Sequence, residues 1–260
     1  MSAHTLTILG CAANRQVTGD DYNVTSGYLL KTGERLALFD CGGGVTGAFL
    51  RYGFDFTKVS DIFISHTHPD HVSDLPLFTQ SIYLTKRTNR LNLFLPIDFV
   101  QPFEQYMRAL YMYREVFPFD FTVTGYREGF VYSAGDFSVR AIGNSHLSRY
   151  RERLAKIGES SELLSHSFSI TVGETRLFYS ADLDTFAEIR SYLTGCTYVL
   201  IDSTHVDTDE VLAFVKDADL GALIFTHLGD DNEIARLREK IARSGLDRVL
   251  IAEPGLTLEL

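Results

Sequence analysis

The tract Ser65-His66-Thr67-His68-Pro69-Asp70-His71 directly follows the apolar run Ile62-Phe63-Ile64, and it restricts fold and chemistry more than any other stretch of the chain. Three of the chain's eight histidines and a carboxylate stand together here. Divalent transition metals take imidazole nitrogens and hard carboxylate oxygens, and zinc accepts both. The apolar run reads as a buried strand. His66 and His68, two positions apart in extended chain, point their rings to the same side. The turn begun at Pro69 then aims Asp70 and His71 at a second point nearby.

Three more donors occupy the same setting. His146 follows the strand-like run 137–142 and the bend Gly143-Asn144-Ser145. Asp182 follows Leu177-Phe178-Tyr179 through Ser180-Ala181, and His227 follows Ala222-Leu223-Ile224-Phe225-Thr226. Each sits just past an apolar run, where strand C-termini open onto a shared face. That placement suits a site carried by loops on a rigid sheet.

At this point the chain resembles the metallo-β-lactamase superfamily, whose signature is His-x-His-x-Asp-His followed by a distant His, Asp and His. The resemblance runs from about Leu6 to about Leu258. It implies that His66, His68 and His146 hold one metal, that Asp70, His71 and His227 hold the other, and that Asp182 bridges the two. The stretch Phe39-Asp40-Cys41-Gly42-Gly43 is similar to the family's early Asp-x-Gly element, in which Asp40 would hydrogen-bond to the ligand loop and fix it. Cys41 reads as small packing beside the site.

Strand-like runs and helical stretches alternate without a low-complexity linker. Strands are expected at 6–9, 27–30 and 36–39, then a helix from the glycines 42–44 to Tyr52, ended by Gly53. A single helix is expected from Asp70 to about Thr85, with Pro76 early in it. In the second half, strands near 137–142, 168–171, 176–179, 198–201 and 223–225 are separated by helices near 185–193, 208–216 and 232–244. The periodicity indicates a layered α/β protein. The four-layered αββα sandwich is what the resemblance implies. At 260 residues and 45% hydrophobic, one domain over 1–260 is expected.

Two segments depart from a minimal version. An insertion around 99–132 is dense in Phe and Tyr, and the spacing of Phe103, Tyr106, Leu110 and Tyr113 fits one amphipathic helix. It reads as packing under a long connection, as a homodimer contact, or as an apolar wall of the substrate pocket. The segment 147–165 carries Arg149, Arg151, Arg153 and Lys156 against Glu152, Glu159 and Glu162. It reads as a solvated helix or as a lid bringing arginines to an anionic substrate.

The net charge of −10 weighs against long nucleic acid, whose phosphates are held by clustered Lys and Arg, but not against a small anionic molecule. No apolar run is long enough to span a bilayer, and Met1–Gly10 has no signal-peptide pattern. The scattered Cys11, Cys41 and Cys196 fit a reducing compartment, so a cytoplasmic location is expected.

The ligand set implies a dinuclear metal-dependent hydrolase, an enzyme in which two divalent ions share a hydroxide that attacks a phosphoryl or acyl centre. Zinc is favoured, while manganese or iron would accept the same donors. Asp182 would neutralise and space the ions, and Asp70 would orient the attacking oxygen. His205, after Ile201-Asp202-Ser203-Thr204, is the candidate donor to the leaving group; the alternative is a surface histidine at a helix start. His166 would line the pocket or lie exposed on a strand, and His4 is expected in a disordered terminus.

Within the superfamily, Thr7-Ile8-Leu9-Gly10-Cys11 and the run from His66 to Pro76 resemble the ribonuclease Z and phosphodiesterase branch. The segment Val199–Thr204 loosely resembles that branch's His-Glu-Ala-Thr element but lacks its histidine and glutamate, and no tRNA-gripping arm is evident. The expected reaction is therefore hydrolysis of a small or cyclic phosphodiester. A lactone or thioester hydrolase and a non-catalytic metal-binding sensor module are the alternatives.

Overall fold

The computed structural model describes residues 4–13 and 24–260. They fall into two compact units, one of residues 4–10, 24–127 and 254–260 and the other of 11–13 and 128–253. Each unit is built on one seven-stranded sheet.

In the first unit the strands are β1 (Thr5–Gly10), β2 (Gly27–Thr32), β3 (Arg35–Phe39), β4 (Val59–Phe63), β5 (Leu91–Pro96) and β6 (Phe121–Tyr126). They pair in that order, and Thr257–Glu259 closes the sheet on the outer side of β1. The pairs β1–β2 and β2–β3 are antiparallel, whereas β3 through β6 run parallel. Parallel strands are buried on both faces and read as continuous apolar runs. Leu38, Phe39, Ile62, Phe63, Leu93 and Leu95 are accordingly inaccessible to solvent.

Helices α1 (Val45–Arg51), α2 (Pro69–Val72), α3 (Leu75–Leu84) and α4 (Ile97–Ala109) belong to this unit. The single helix expected from Asp70 to Thr85 is broken at Ser73-Asp74. Pro76 lacks an N–H and its ring would clash with the carbonyl four residues back, so it is accommodated in the first turn of a new helix. Asp74 meanwhile accepts the backbone N–H of Thr46 at 2.7 Å, holding the start of α1. In α4 the buried positions are Phe103 and Met107, and the helix stops before Leu110. Tyr106, Leu110 and Tyr113 lie exposed instead of forming its inner face. The aromatic segment also supplies β6, so it takes part in the first sheet.

In the second unit the strands are β7 (Val131–Ala134), β8 (Phe137–Asn144), β9 (Ser165–Val172), β10 (Thr175–Tyr179), β11 (Cys196–Asp202), β12 (Leu220–Thr226) and β13 (Val249–Ile251). They again pair in sequence order. The pairs from β7 to β10 are antiparallel, and β10 through β13 are parallel. Helices α5 (Arg151–Lys156), α6 (Thr208–Asp217) and α7 (Asp231–Ser244) accompany them. A capping box between Asp230 and Glu233 starts α7, and Gly245 at φ 66° ends it.

The helix expected over 185–193 is two 3-10 turns, Phe186–Glu188 and Arg190–Tyr192. With three residues per turn, Phe186 and Ile189 eclipse on one side and are buried together. The segment 147–165 holds a 3-10 turn, the short exposed helix α5 and the start of β9. His4 is ordered at the chain start, its carbonyl accepting the amide of Leu260 at 3.0 Å. Among the described residues no helix is long and apolar enough to cross a membrane.

The core of the first unit is knit by aromatic contacts. Phe49, fully buried, lies with its ring centroid 4.5 Å from Phe56 and 5.1 Å from Phe78. Phe49→Ala removes this ring from its contacts with Phe56, Phe78 and, at 5.5 Å, Phe54, and is expected to lower stability by about 3–5 kcal/mol. A urea denaturation curve checks it; a midpoint unchanged from the parent would contradict the packing.

Candidate metal centre

In the first unit every donor leaves the C-terminal end of a parallel strand. Asp40 follows β3, and the tract 65–71 follows β4 after Ile64. The two ends are joined by the Asp40 amide donating to the Phe63 carbonyl at 2.8 Å. Asp40 adopts φ 58°, a left-handed conformation that a non-glycine residue keeps only when its surroundings hold it. Its carboxylate supplies that hold. Oδ1 accepts the Ser65 amide at 2.7 Å, while Oδ2 accepts the Ser65 hydroxyl and lies 2.8 Å from His71 Nδ1. Both Asp40 and His71 are fully buried.

The rest of the tract follows from helix-start chemistry. His68 is the extended residue before α2 and Pro69 its first helical residue, where a missing N–H costs nothing. Asp70 and His71 then sit in the first turn, with the Asp70 carbonyl accepting the Ser26 amide and the His71 carbonyl accepting the Cys41 amide. Gly42 is needed there, since a Cβ would stand 2.0 Å from the Asp70 carbonyl oxygen. His66 Nε2 and His68 Nδ1 are 3.1 Å apart, and the His66 and His71 rings lie 4.1 Å centroid to centroid. Cys41 is buried beside Asp40, and burial pushes its thiol well above the usual range, which suits packing more than ligation.

The second unit brings its donors to the matching edge of its own sheet. β10, β11 and β12 are parallel, and β8 runs the same way as β10 because each is antiparallel to β9. His146, Asp182, His205 and His227 therefore emerge from one side. His146 Nε2 is 3.4 Å from Asp182 Oδ2, and His227 Nε2 is 3.3 Å from Asp182 Oδ1. Two imidazole nitrogens thus face opposite oxygens of one buried carboxylate. Ala181 and His227 take φ 49° and 51°, so both corners turn through the left-handed region.

His205 lies at this site with only part of its side chain exposed. Its Nδ1 is 2.8 Å from Asp202 Oδ2 and 3.8 Å from Asp182 Oδ2, and its ring stacks on His227 at 5.3 Å. Asp182, Asp202, His205 and His227 offer ligand atoms all within 4.8 Å of one another. His166, on β9 opposite Gly143, is buried and not an exposed strand residue. Of the basic residues at 149–156, Arg149 reaches the site, donating from Nε to the His146 carbonyl at 2.9 Å.

Asp202 is a buried carboxylate at this site that the motif does not contain. It is fully buried at the end of β11 and accepts the amides of Leu183 (3.1 Å) and Thr204 (2.8 Å) as well as His205 Nδ1. His227 Nδ1 is 3.3 Å from its Oδ1 and 2.9 Å from the Thr204 hydroxyl. Burial pushes the Asp202 carboxyl up, but hydrogen bonds from His205 and His227 outweigh it and hold the group well below the usual carboxylate range. One signal was available: Asp202 closes an apolar run, as Asp40 does.

The donors in each unit fit divalent metal. They are imidazoles and carboxylates with little exposure, and three of the rings, His71, His205 and His227, face a further carboxylate at Nδ1, the arrangement that fixes tautomer and direction for a metal-binding histidine.

Known proteins match at the level of sequence and of fold. Ribonuclease Z of Treponema denticola is 32% identical over 140 residues, 54% of this chain and 44% of that protein. The chain spans about half the length of the curated relatives it matches first. The metallo-β-lactamase fold protein YhfI from Bacillus subtilis superposes with a TM-score of 0.78 at 19% identity, over 100% of both chains. Human tRNase Z, short form, gives 0.71 at 16% identity over 98% of each. The α/β fold of metallo-β-lactamase type expected from the sequence is thus the fold of this protein. Residues 4–217 match the family model described as Anti-Pycsar protein Apyc1, and since this is well over half of its length, the chain belongs to that family.

Proposed function

We propose that this protein is a dinuclear metal-dependent hydrolase acting on a small or cyclic phosphodiester. The observation that carries the reading is that each unit holds donors at strand ends with a buried carboxylate beside them, Asp40 at His71 in one and Asp202 at His205 and His227 in the other. Such investment in ring orientation is expected of metal ligation. The relatives named ribonuclease Z support phosphodiester chemistry.

In this reading His66, His68 and His146 would hold one ion and Asp70, His71 and His227 the other, with Asp182 available to both. Zinc suits the histidine-rich donors best, and manganese or iron would also be accepted. Bound divalent ions would acidify water and polarise the phosphoryl oxygen. Asp182 offsets the positive charge, consistent with His146 and His227 facing its two oxygens. Asp70 orients the attacking oxygen. His205, turned by Asp202 at Nδ1, is left with Nε2 to give a proton to the departing oxygen. Arg149, beside the His146 carbonyl, suits a small anionic substrate. Contact between two copies through the exposed Tyr106, Leu110 and Tyr111 belongs to the same reading.

Parallel assays against a phosphodiester, a lactone and a thioester, with metal content measured on the same sample, test the class of reaction. Turnover confined to the lactone or thioester would replace the phosphodiester reading, and a protein that holds metal but turns over none of the three would leave the non-catalytic metal-binding module. Asp182→Ala should reduce hydrolysis by orders of magnitude and also lower metal content. Undiminished metal content would remove the bridging role whatever the rate.

His205→Ala should slow a substrate with a poor alkoxide leaving group by about 10²–10⁴-fold, with metal content unchanged. An activated aryl phosphodiester, whose phenolate departs without a proton, should be nearly unaffected. Equal losses on both would assign His205 to positioning.

A further inference from the structure

Glu188 takes no part in the steps above, yet it is built into the segment that carries Asp182. It closes the 3-10 turn Phe186–Glu188, which is pinned by the buried Phe186 and Ile189. Its Oε1 accepts two hydrogen bonds from one residue, the backbone amide of Ser145 at 3.1 Å and the Ser145 hydroxyl. Ser145 directly precedes His146. The loop beyond Asp182 also reaches His146 from another side, because the Leu183 carbonyl lies 3.3 Å from its Nδ1. The chain bearing Asp182 and the chain bearing His146 are therefore clamped together at two points flanking the 3.4 Å approach of Asp182 Oδ2 to His146 Nε2.

The chemistry of the clamp is informative. Glu188 Oε2 is buried without a hydrogen-bond partner among the described residues. A buried carboxylate oxygen left so costs stability, and a small residue with local turn hydrogen bonds would close this loop at less expense. The cost is understandable if the position of His146 matters more than the stability of the loop. Both donors of Ser145, the residue that leads into His146, go to this one oxygen.

We infer that Glu188 is a positioning residue for the metal centre. It holds the Ser145-His146 backbone so that His146 Nε2 and the Asp182 carboxylate meet one ion in fixed geometry. The inference rests on the reading of His146 and Asp182 as metal ligands. It goes beyond that reading by naming which ion depends on Glu188, the one also held by His66 and His68.

The test uses the full chain, stripped with a chelator and titrated with Zn2+ against a competing indicator dye. The parent protein should take up two ions. Glu188→Ala should bind one of them about 10–100-fold more weakly and keep the other at parental affinity. The circular dichroism spectrum and thermal midpoint of the metal-free form should stay close to the parent's. Glu188→Gln, whose amide oxygen accepts the same two bonds, should restore most of the lost affinity. Ser145→Ala, which deletes the hydroxyl donor alone, should show a smaller loss of the same ion, non-additive with the glutamate change.

Two ions bound by Glu188→Ala at parental affinity would overturn the inference while leaving the ligand reading intact. Equal weakening of both ions would overturn it as well, pointing to general loosening. If Glu188→Ala does not fold, the serine variant decides: parental affinity for both ions there overturns the proposal. A parent protein that takes up no zinc would overturn the ligand reading and the inference together.

Discussion

The organisation of both donor sets depends on one interaction, a buried carboxylate at a strand end bonded to imidazole and to backbone amides at once. Asp40 does this in the first unit, joining Ser65 and His71. Asp202 does it in the second, joining Leu183, Thr204, His205 and His227. Burying an ionised carboxylate is tolerable only with such a full set of donors. The donors are in turn those that set the loop conformations, so burial, loop shape and ring orientation are satisfied by the same bonds.

The parallel strands explain why these loops are available. Each sheet begins as an antiparallel meander and continues parallel, so successive strands deliver their C-terminal ends to one edge. The apolar strand interiors anchor the edge, while the corners beyond them absorb unfavourable backbone. Asp40, Ala181 and His227 all adopt positive φ, and each is tied by neighbouring hydrogen bonds or burial that offset the strain. At these three corners the backbone strain is held by the same surroundings that present the donors.

The charge of the chain and the charge of its centre serve different ends. A net charge of −10 disfavours extended nucleic acid, yet the donors of the second unit stand close to Arg149, and bound cations would reverse the local sign. In the proposed reading a small anion therefore suits this acidic protein better than a long polyanion. The same contrast fits a chain that resembles ribonuclease Z in sequence over only part of that enzyme.

By itself the sequence determined the donors and most strands, because these signals are local. The spacing His66-Thr67-His68-Pro69-Asp70-His71 sets donor-type side chains close together through neighbouring residues alone, and runs such as 36–39 and 223–225 are apolar because both faces are buried. The strands at 91–96 and 121–126 were hidden, since one borders a basic stretch and the other sits among aromatics that suggested an inserted segment. Only the tertiary structure decided the break at Ser73-Asp74, where Asp74 is drawn away to hold α1, and the 3-10 turns at 186–192, where burial favours a three-residue repeat. It also decided the parts played by Asp202 and Glu188. Both are ordinary acidic residues in sequence, and what each does is set by partners far along the chain, Leu183 and His227 for one and Ser145 for the other. Ligand type is a property of the side chain, whereas orientation is a property of what folding places beside it.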